Sequence, residues 1–80
     1  MLSDDIKFEP DAYVEQMFWA IDDDNVEYCI YMPEDEDIWC AYVQRRVAYN
    51  EVRHSLGRFW YFEDAEEACR DFDPVEERLL

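Results

Sequence analysis

The chain has eighty residues and a mass of 9.8 kDa, room for one small domain, with twenty-two Asp and Glu against seven Lys and Arg for a net charge of −15. Such a charge repels polynucleotides and anionic lipid alike, which argues against direct nucleic-acid binding and against a membrane role. Half of the residues are hydrophobic and 18% are aromatic, which is not the composition of a disordered chain.

The first segment reads as a helix from Pro10. Proline suits the first helical position, Glu9 and Asp11 suit its positive end, and Tyr13, Val14, Met17, Phe18 and Ile21 fall on one stripe. Asp22-Asp23-Asp24-Asn25 ends it as a turn. Val26, Tyr28, Ile30 and Met32 then alternate with Glu27, Cys29 and Tyr31, the period of a strand. Pro33-Glu34-Asp35-Glu36-Asp37 interrupts the alternation and residues 38–43 resume it, so the pair reads as an antiparallel hairpin with an acidic tip. Residues 44–56 are ambiguous. Ile38, Tyr42, Tyr49, Val52 and Leu56 share one helical face, so a helix over 37–56 competes with strand or loop.

Arg58-Phe59-Trp60-Tyr61-Phe62 reads as a third strand. A second helix follows, with Asp64 as N-cap, Glu67 as capping-box partner, and Ala65, Ala68, Cys69 and Phe72 on its apolar stripe. Asp73-Pro74 stops it, and Leu79 and Leu80 dock or fray beyond. The expected fold is α+β in the order α-β-β-β-α, a small antiparallel sheet of two to three strands with both helices on one face.

No catalytic constellation is visible. Cys29, Cys40 and Cys69 lack the C-x-x-C spacing of a zinc knuckle, and their odd number suits thiols packed in a reducing cytoplasm. His54, the one histidine, has no motif that exposes a nucleophile beside it, and reads as a surface or strand-edge residue. A single glycine cannot build a phosphate-cradling loop, and Asp22-Asp23-Asp24 lacks the glycine and distal Glu of a calcium loop. The expectation is a non-enzyme with no cofactor and no metal. Most of the aromatics serve the core, leaving Trp19, Tyr31 or Trp39 as possible exposed anchors.

The charge is segregated along the chain. Residues 1–37 carry thirteen acids against Lys7, a net of −12. Residues 38–62 carry Arg45, Arg46, Arg53 and Arg58 against Glu51, a net of +3, and residues 63–80 return to −6. Carboxylates on a rigid frame can satisfy the Lys and Arg rows that a nucleic-acid groove presents to phosphates. The residues expected to do so are Asp22, Asp23, Asp24 and Glu27, then Glu34, Asp35, Glu36 and Asp37, then Glu63, Asp64, Glu66 and Glu67. In size, acidity, aromatic content and clusters such as Asp22-Asp23-Asp24 and Glu34-Asp35-Glu36-Asp37, the chain resembles the small phage-encoded DNA-mimic inhibitors, acidic anti-CRISPR proteins among them. The resemblance implies an inhibitor in the host cytoplasm that binds a CRISPR surveillance complex, a restriction enzyme or a similar nucleoprotein and excludes target DNA. The four central arginines depart from a uniformly acidic mimic, facing either the domain's own acids or an acidic part of the partner. A different class of function fits the same composition: an adaptor or antitoxin-like regulator that binds a protein through aromatics, with the acids conferring solubility.

Overall fold

A computed structural model describes residues 1–47 and 50–76. The chain forms a five-stranded antiparallel meander in the order β1-β2-β3-β4-β5, followed by one helix. The strands are β1 (Glu9–Pro10), β2 (Met17–Ile21), β3 (Glu27–Tyr31), β4 (Trp39–Val47) and β5 (Asn50–Phe59), and the helix is α1 (Phe62–Asp71). The expected α-β-β-β-α order is therefore wrong at its start: among the described residues there is one helix, and the sheet has five strands rather than two or three.

The segment read as a first helix is instead a hairpin arm. Asp11 accepts hydrogen bonds from the Tyr13 and Val14 amides at 2.9 Å each, an Asx turn that uses the same side-chain chemistry as a helix cap. The chain then reverses through Gln16, whose φ is 56°, and enters β2. Tyr13 and Val14, placed on the expected apolar stripe, lie exposed in this loop. What wins is pairing. All five residues of β2 align with β3, from Met17 opposite Tyr31 to Ile21 opposite Glu27.

Residues 44–56 belong to strands wherever they are described, so the helix over 37–56 does not form. β4 and β5 pair from Trp39 opposite Phe59 onward, with an irregularity where Leu56 is an extra residue between Ser55, opposite Tyr42, and Gly57, opposite Ala41. Gly57 has φ of 114°, a conformation that favours glycine. Tyr49, which belonged to the helical alternative, lies outside the described residues, as do Leu79 and Leu80. The expected third strand is shifted: β5 ends at Phe59, and Phe62 already belongs to the helix.

The two faces of the sheet differ. Ala20, Tyr28, Ile30, Ala41 and Val43 meet Ala65, Cys69 and Phe72 in the buried core beneath α1. On the opposite face the register aligns Trp19, Cys29, Tyr42 and Ser55 across four strands. Tyr42 makes edge-to-face contacts with Trp19 and Tyr31, at centroid separations of 6.0 and 5.9 Å. Cys29 is fully buried beneath these rings, so the central strand β3 is buried on both sides. Burial pushes the Cys29 thiol up to about 11 and the Cys69 thiol up to about 12.

The helix starts earlier than its capping signals indicate. Its N-cap is Tyr61, which makes no side-chain cap bond, and not Asp64; Glu63 and Asp64 occupy the first turn, where negative charge is favoured. Phe62 sets this start. Its ring packs against Phe18, Trp39 and Phe8 at 5.1, 5.2 and 6.3 Å. At the other end Arg70 donates to the Ser3 and Ile6 carbonyls at 2.6 and 2.9 Å, which ties the N-terminal segment to α1. No helix among the described residues is long and apolar enough to cross a membrane.

Candidate functional site

The antiparallel meander sorts the acid clusters to opposite ends of the sheet. The turn at residues 22–25 joins β2 to β3 at the Ile21 and Glu27 end, and the loop at 32–38 joins β3 to β4 at the Tyr31 and Trp39 end. A strand of five residues, about 17 Å, lies between them. The twelve candidate carboxylates therefore do not form one continuous track.

Asp22 is built into the fold. It is 5% exposed, and its carboxylate accepts hydrogen bonds from the Asp24 amide (2.8 Å), the Val26 amide (3.0 Å) and the Tyr28 hydroxyl (3.0 Å). The Met1 ammonium stands 3.7 Å away. Desolvation, the bond to Asp22 and its negative charge all hold the Tyr28 phenol protonated well above its ordinary range. Asp23 and Asp24 are exposed at the same turn, while Glu27 is half-buried and accepts from Gln44 Nε2 at 2.9 Å.

The other end collects more charge. Glu34, Asp35, Glu36 and Asp37 are all exposed in the β3–β4 loop. Phe59 pairs with Trp39, and Phe62 packs on Trp39, so Trp60, Tyr61, Glu63 and Asp64 emerge beside that loop. The β1–β2 loop joins them: the Met32 amide donates to the Gln16 carbonyl at 2.9 Å, which brings Glu15 and Tyr13 to the same end. A shallow groove of about 720 Å³ runs between the two loops, lined by Tyr13, Val14, Glu15, Met32, Pro33 and Glu34. Glu66 and Glu67 lie farther along α1, with Glu66 bonded to Arg70 at 2.9 Å.

The exposed aromatics are not the ones anticipated. Trp19, Tyr31 and Trp39 are half-buried, and the Trp19 indole donates to Asp11 Oδ2 at 2.9 Å. Backbone donors from Tyr13 and Val14, and then this indole, hold the Asp11 carboxyl below the usual carboxylate range. Tyr13, Trp60 and Tyr61 are 95%, 73% and 67% exposed, and all three stand at the acidic end. A run of four aromatics that spans the end of a strand and the start of a helix cannot bury every ring, and that is the signal in the sequence for Trp60 and Tyr61. Glu15 carried no such signal, because it looked like the polar face of a helix.

Two of the central arginines face the domain's own acids. Arg58 pairs with Glu36 at 2.8 Å, and Arg53 contacts Glu51 and Gln44 while its guanidinium stacks 4.2 Å from the Tyr42 ring centre. His54 is exposed on β5 with its ring 5.2 Å from that of Phe72, as a strand-edge histidine. Comparison with protein-family models, with curated proteins and with solved structures gives no match to this chain.

Proposed function

We propose that the protein is a phage-type inhibitor that inserts its β3–β4 loop end into the cationic nucleic-acid groove of a host-defence nucleoprotein, a CRISPR surveillance complex or nuclease, and blocks target DNA by acidic mimicry in the host cytoplasm. The observation that carries this reading is the convergence of Glu34, Asp35, Glu36, Asp37, Glu63 and Asp64 with Glu15 at one end of the sheet. Charges on three neighbouring segments of one rigid frame can meet closely repeated Lys and Arg without first being ordered, which lowers the cost of association. Tyr13, Trp60 and Tyr61 add apolar anchors among the acids. Asp23 and Asp24 stand at the far end, outside this contact.

The same three rings support a second reading, an adaptor held by aromatic contacts, and the two readings separate in one experiment. The tagged protein captures its partner from bacterial lysate, and the complex is challenged with salt and with duplex DNA. Mimicry requires duplex DNA to compete, binding to weaken steeply with salt, and replacement of Glu34–Asp37 by Ser to weaken binding severalfold and flatten the salt dependence. An adaptor keeps its partner in the presence of DNA and loses it on Trp60→Ala or Tyr61→Ala. A captured partner whose nucleic-acid site stays fully accessible refutes mimicry.

A further inference from the structure

We propose that the outer edge of β5 is a homodimer interface, in which residues 50–54 of two copies pair antiparallel about a twofold axis through Val52. The sheet has two edges, and they are unequal. β1 is two residues long and one of them is Pro10, which has no amide hydrogen to donate. β5 is ten residues long, and no described strand lies beyond it.

The two halves of β5 also differ. Leu56 and Gly57 form the irregularity opposite Ala41 and Tyr42, which bends the later half, whereas Asn50–His54 pairs with β4 without interruption and contains neither Pro nor Gly. Val52 is 48% exposed on this stretch. It is an apolar residue on a stretch of edge that neither a proline nor a bulge interrupts.

Charge selects both the occupant and the register. β4 and β5 hold all four central arginines and only Glu51 among acids, so this is the one region where two chains of net charge −15 can meet without opposing carboxylate clusters. When two copies of one strand pair antiparallel, directly opposite residues share a sheet face, so the axis must pass through a residue position. With Val52 on the axis, Glu51 stands opposite Arg53 of the second copy and Asn50 opposite His54, and the charge match occurs twice. Moving the axis to Arg53 sets arginine against arginine, and moving it to Glu51 sets glutamate against glutamate. The Glu51-Val52-Arg53 sequence is thus self-complementary in one register. This register also leaves the acidic Tyr31 and Trp39 end of each copy free, so the dimer does not depend on the function proposed above.

The test is the mass of the full chain in solution, by sedimentation velocity over a series from low micromolar to near-millimolar protein. The expected result is a concentration-dependent species of twice the chain mass. Glu51→Arg is expected to weaken association about tenfold or more, because two attractive cross-strand pairs become repulsive, and the double swap E51R/R53E restores it. Thermal melts of each variant establish that it is folded. As an independent measure, Val52→Cys places two thiols about 5 Å apart between Cα atoms on the axis, within disulfide reach, whereas Ser55→Cys places them about 20 Å apart. Oxidation is expected to link the first variant and not the second. A monomer at every concentration, a dimer indifferent to E51R, or equal linking of both cysteine variants overturns the proposal.

Discussion

Asp22 offers the sharpest test of how this structure separates folding acids from surface acids. Replacing it by Ala leaves the Val26 amide and the Tyr28 hydroxyl, both on fully buried residues, without an acceptor. Each buried donor so orphaned costs about 1–3 kcal/mol, so the two together are expected to cost about 2–6 kcal/mol. An eighty-residue domain has only about 4–12 kcal/mol in total, and a small domain loses about 4–8 °C in melting temperature per kcal/mol. D22A should therefore melt at least about 8 °C below the parent, read by circular dichroism at fixed protein concentration and salt. Asp22→Asn keeps an oxygen for the Val26 and Asp24 amides and turns an amide toward the Tyr28 hydroxyl, which can accept. Its cost should stay near 1 kcal/mol, because the pairing with the half-exposed Met1 ammonium contributes little. Asp23→Ala and Asp24→Ala, at exposed positions, should change stability by less than about 0.5 kcal/mol. A D22A melt indistinguishable from that of D23A would refute the assignment of Asp22 to the fold.

The remaining expectations concern charge and burial. Arg70→Met removes the donors to the Ser3 and Ile6 carbonyls, and hydrogen exchange should show residues 1–8 losing protection before the sheet does. Burial raises the Cys29 and Cys69 thiols from 9.0, so the folded state holds more protons than the unfolded one above that pH. Their stabilising contribution is whole below pH 9 and falls as pH climbs toward about 11 and about 12, so urea midpoints should drop across that window while both thiols resist alkylation at neutral pH. Moderate salt should raise the melting temperature by screening the self-repulsion of a −15 chain, and a flat series would mean that its carboxylates are already compensated within the fold.

The parts legible in the sequence were those where one physical rule acted alone. Residues 26–32 alternate because β3 packs Tyr28 and Ile30 under the helix, and the break at Pro33–Asp37 is a loop. Ala65, Cys69 and Phe72 keep helical spacing because α1 has only one buried face. The first hairpin was hidden because both faces of the sheet carry apolar side chains. Phe18 and Ala20 point one way and Met17 and Trp19 the other, which in sequence is an unbroken apolar run that also fits a helical stripe. Pro10 and Asp11 added a false helix start, since an Asx turn and an N-cap draw on the same side-chain oxygen. The site was half legible for a related reason. Clusters are visible in a sequence, but which of them share a sheet end depends on the strand count, and an extra hairpin moves Glu15 and Tyr13 beside Glu34–Asp37.

The placement of the acids bears on why there are so many. Asp22 is committed to the interior, and Glu36, Glu51 and Glu66 have arginine partners, but Asp23, Asp24, Glu34, Asp35, Asp37, Glu63, Asp64 and Glu67 lie exposed in turns, in the β3–β4 loop or on the outer side of α1. The core needs none of these eight: it is closed by Tyr28, Ile30, Val43 and Cys69 on one face of the sheet and by the Trp19, Tyr42 and Tyr31 rings on the other. Mutual repulsion among them lowers stability rather than raising it. Solubility alone asks for a net charge of magnitude about 2–8 in a small domain, with both signs interspersed. A chain at −15 that concentrates carboxylates and exposed rings at one end of its sheet carries more charge than folding and solubility require. Under the mimicry proposed above, that excess would act at the contact, where repulsion within the free protein is relieved by the cations of the groove it enters, so that part of the binding energy would be stored in the unbound fold.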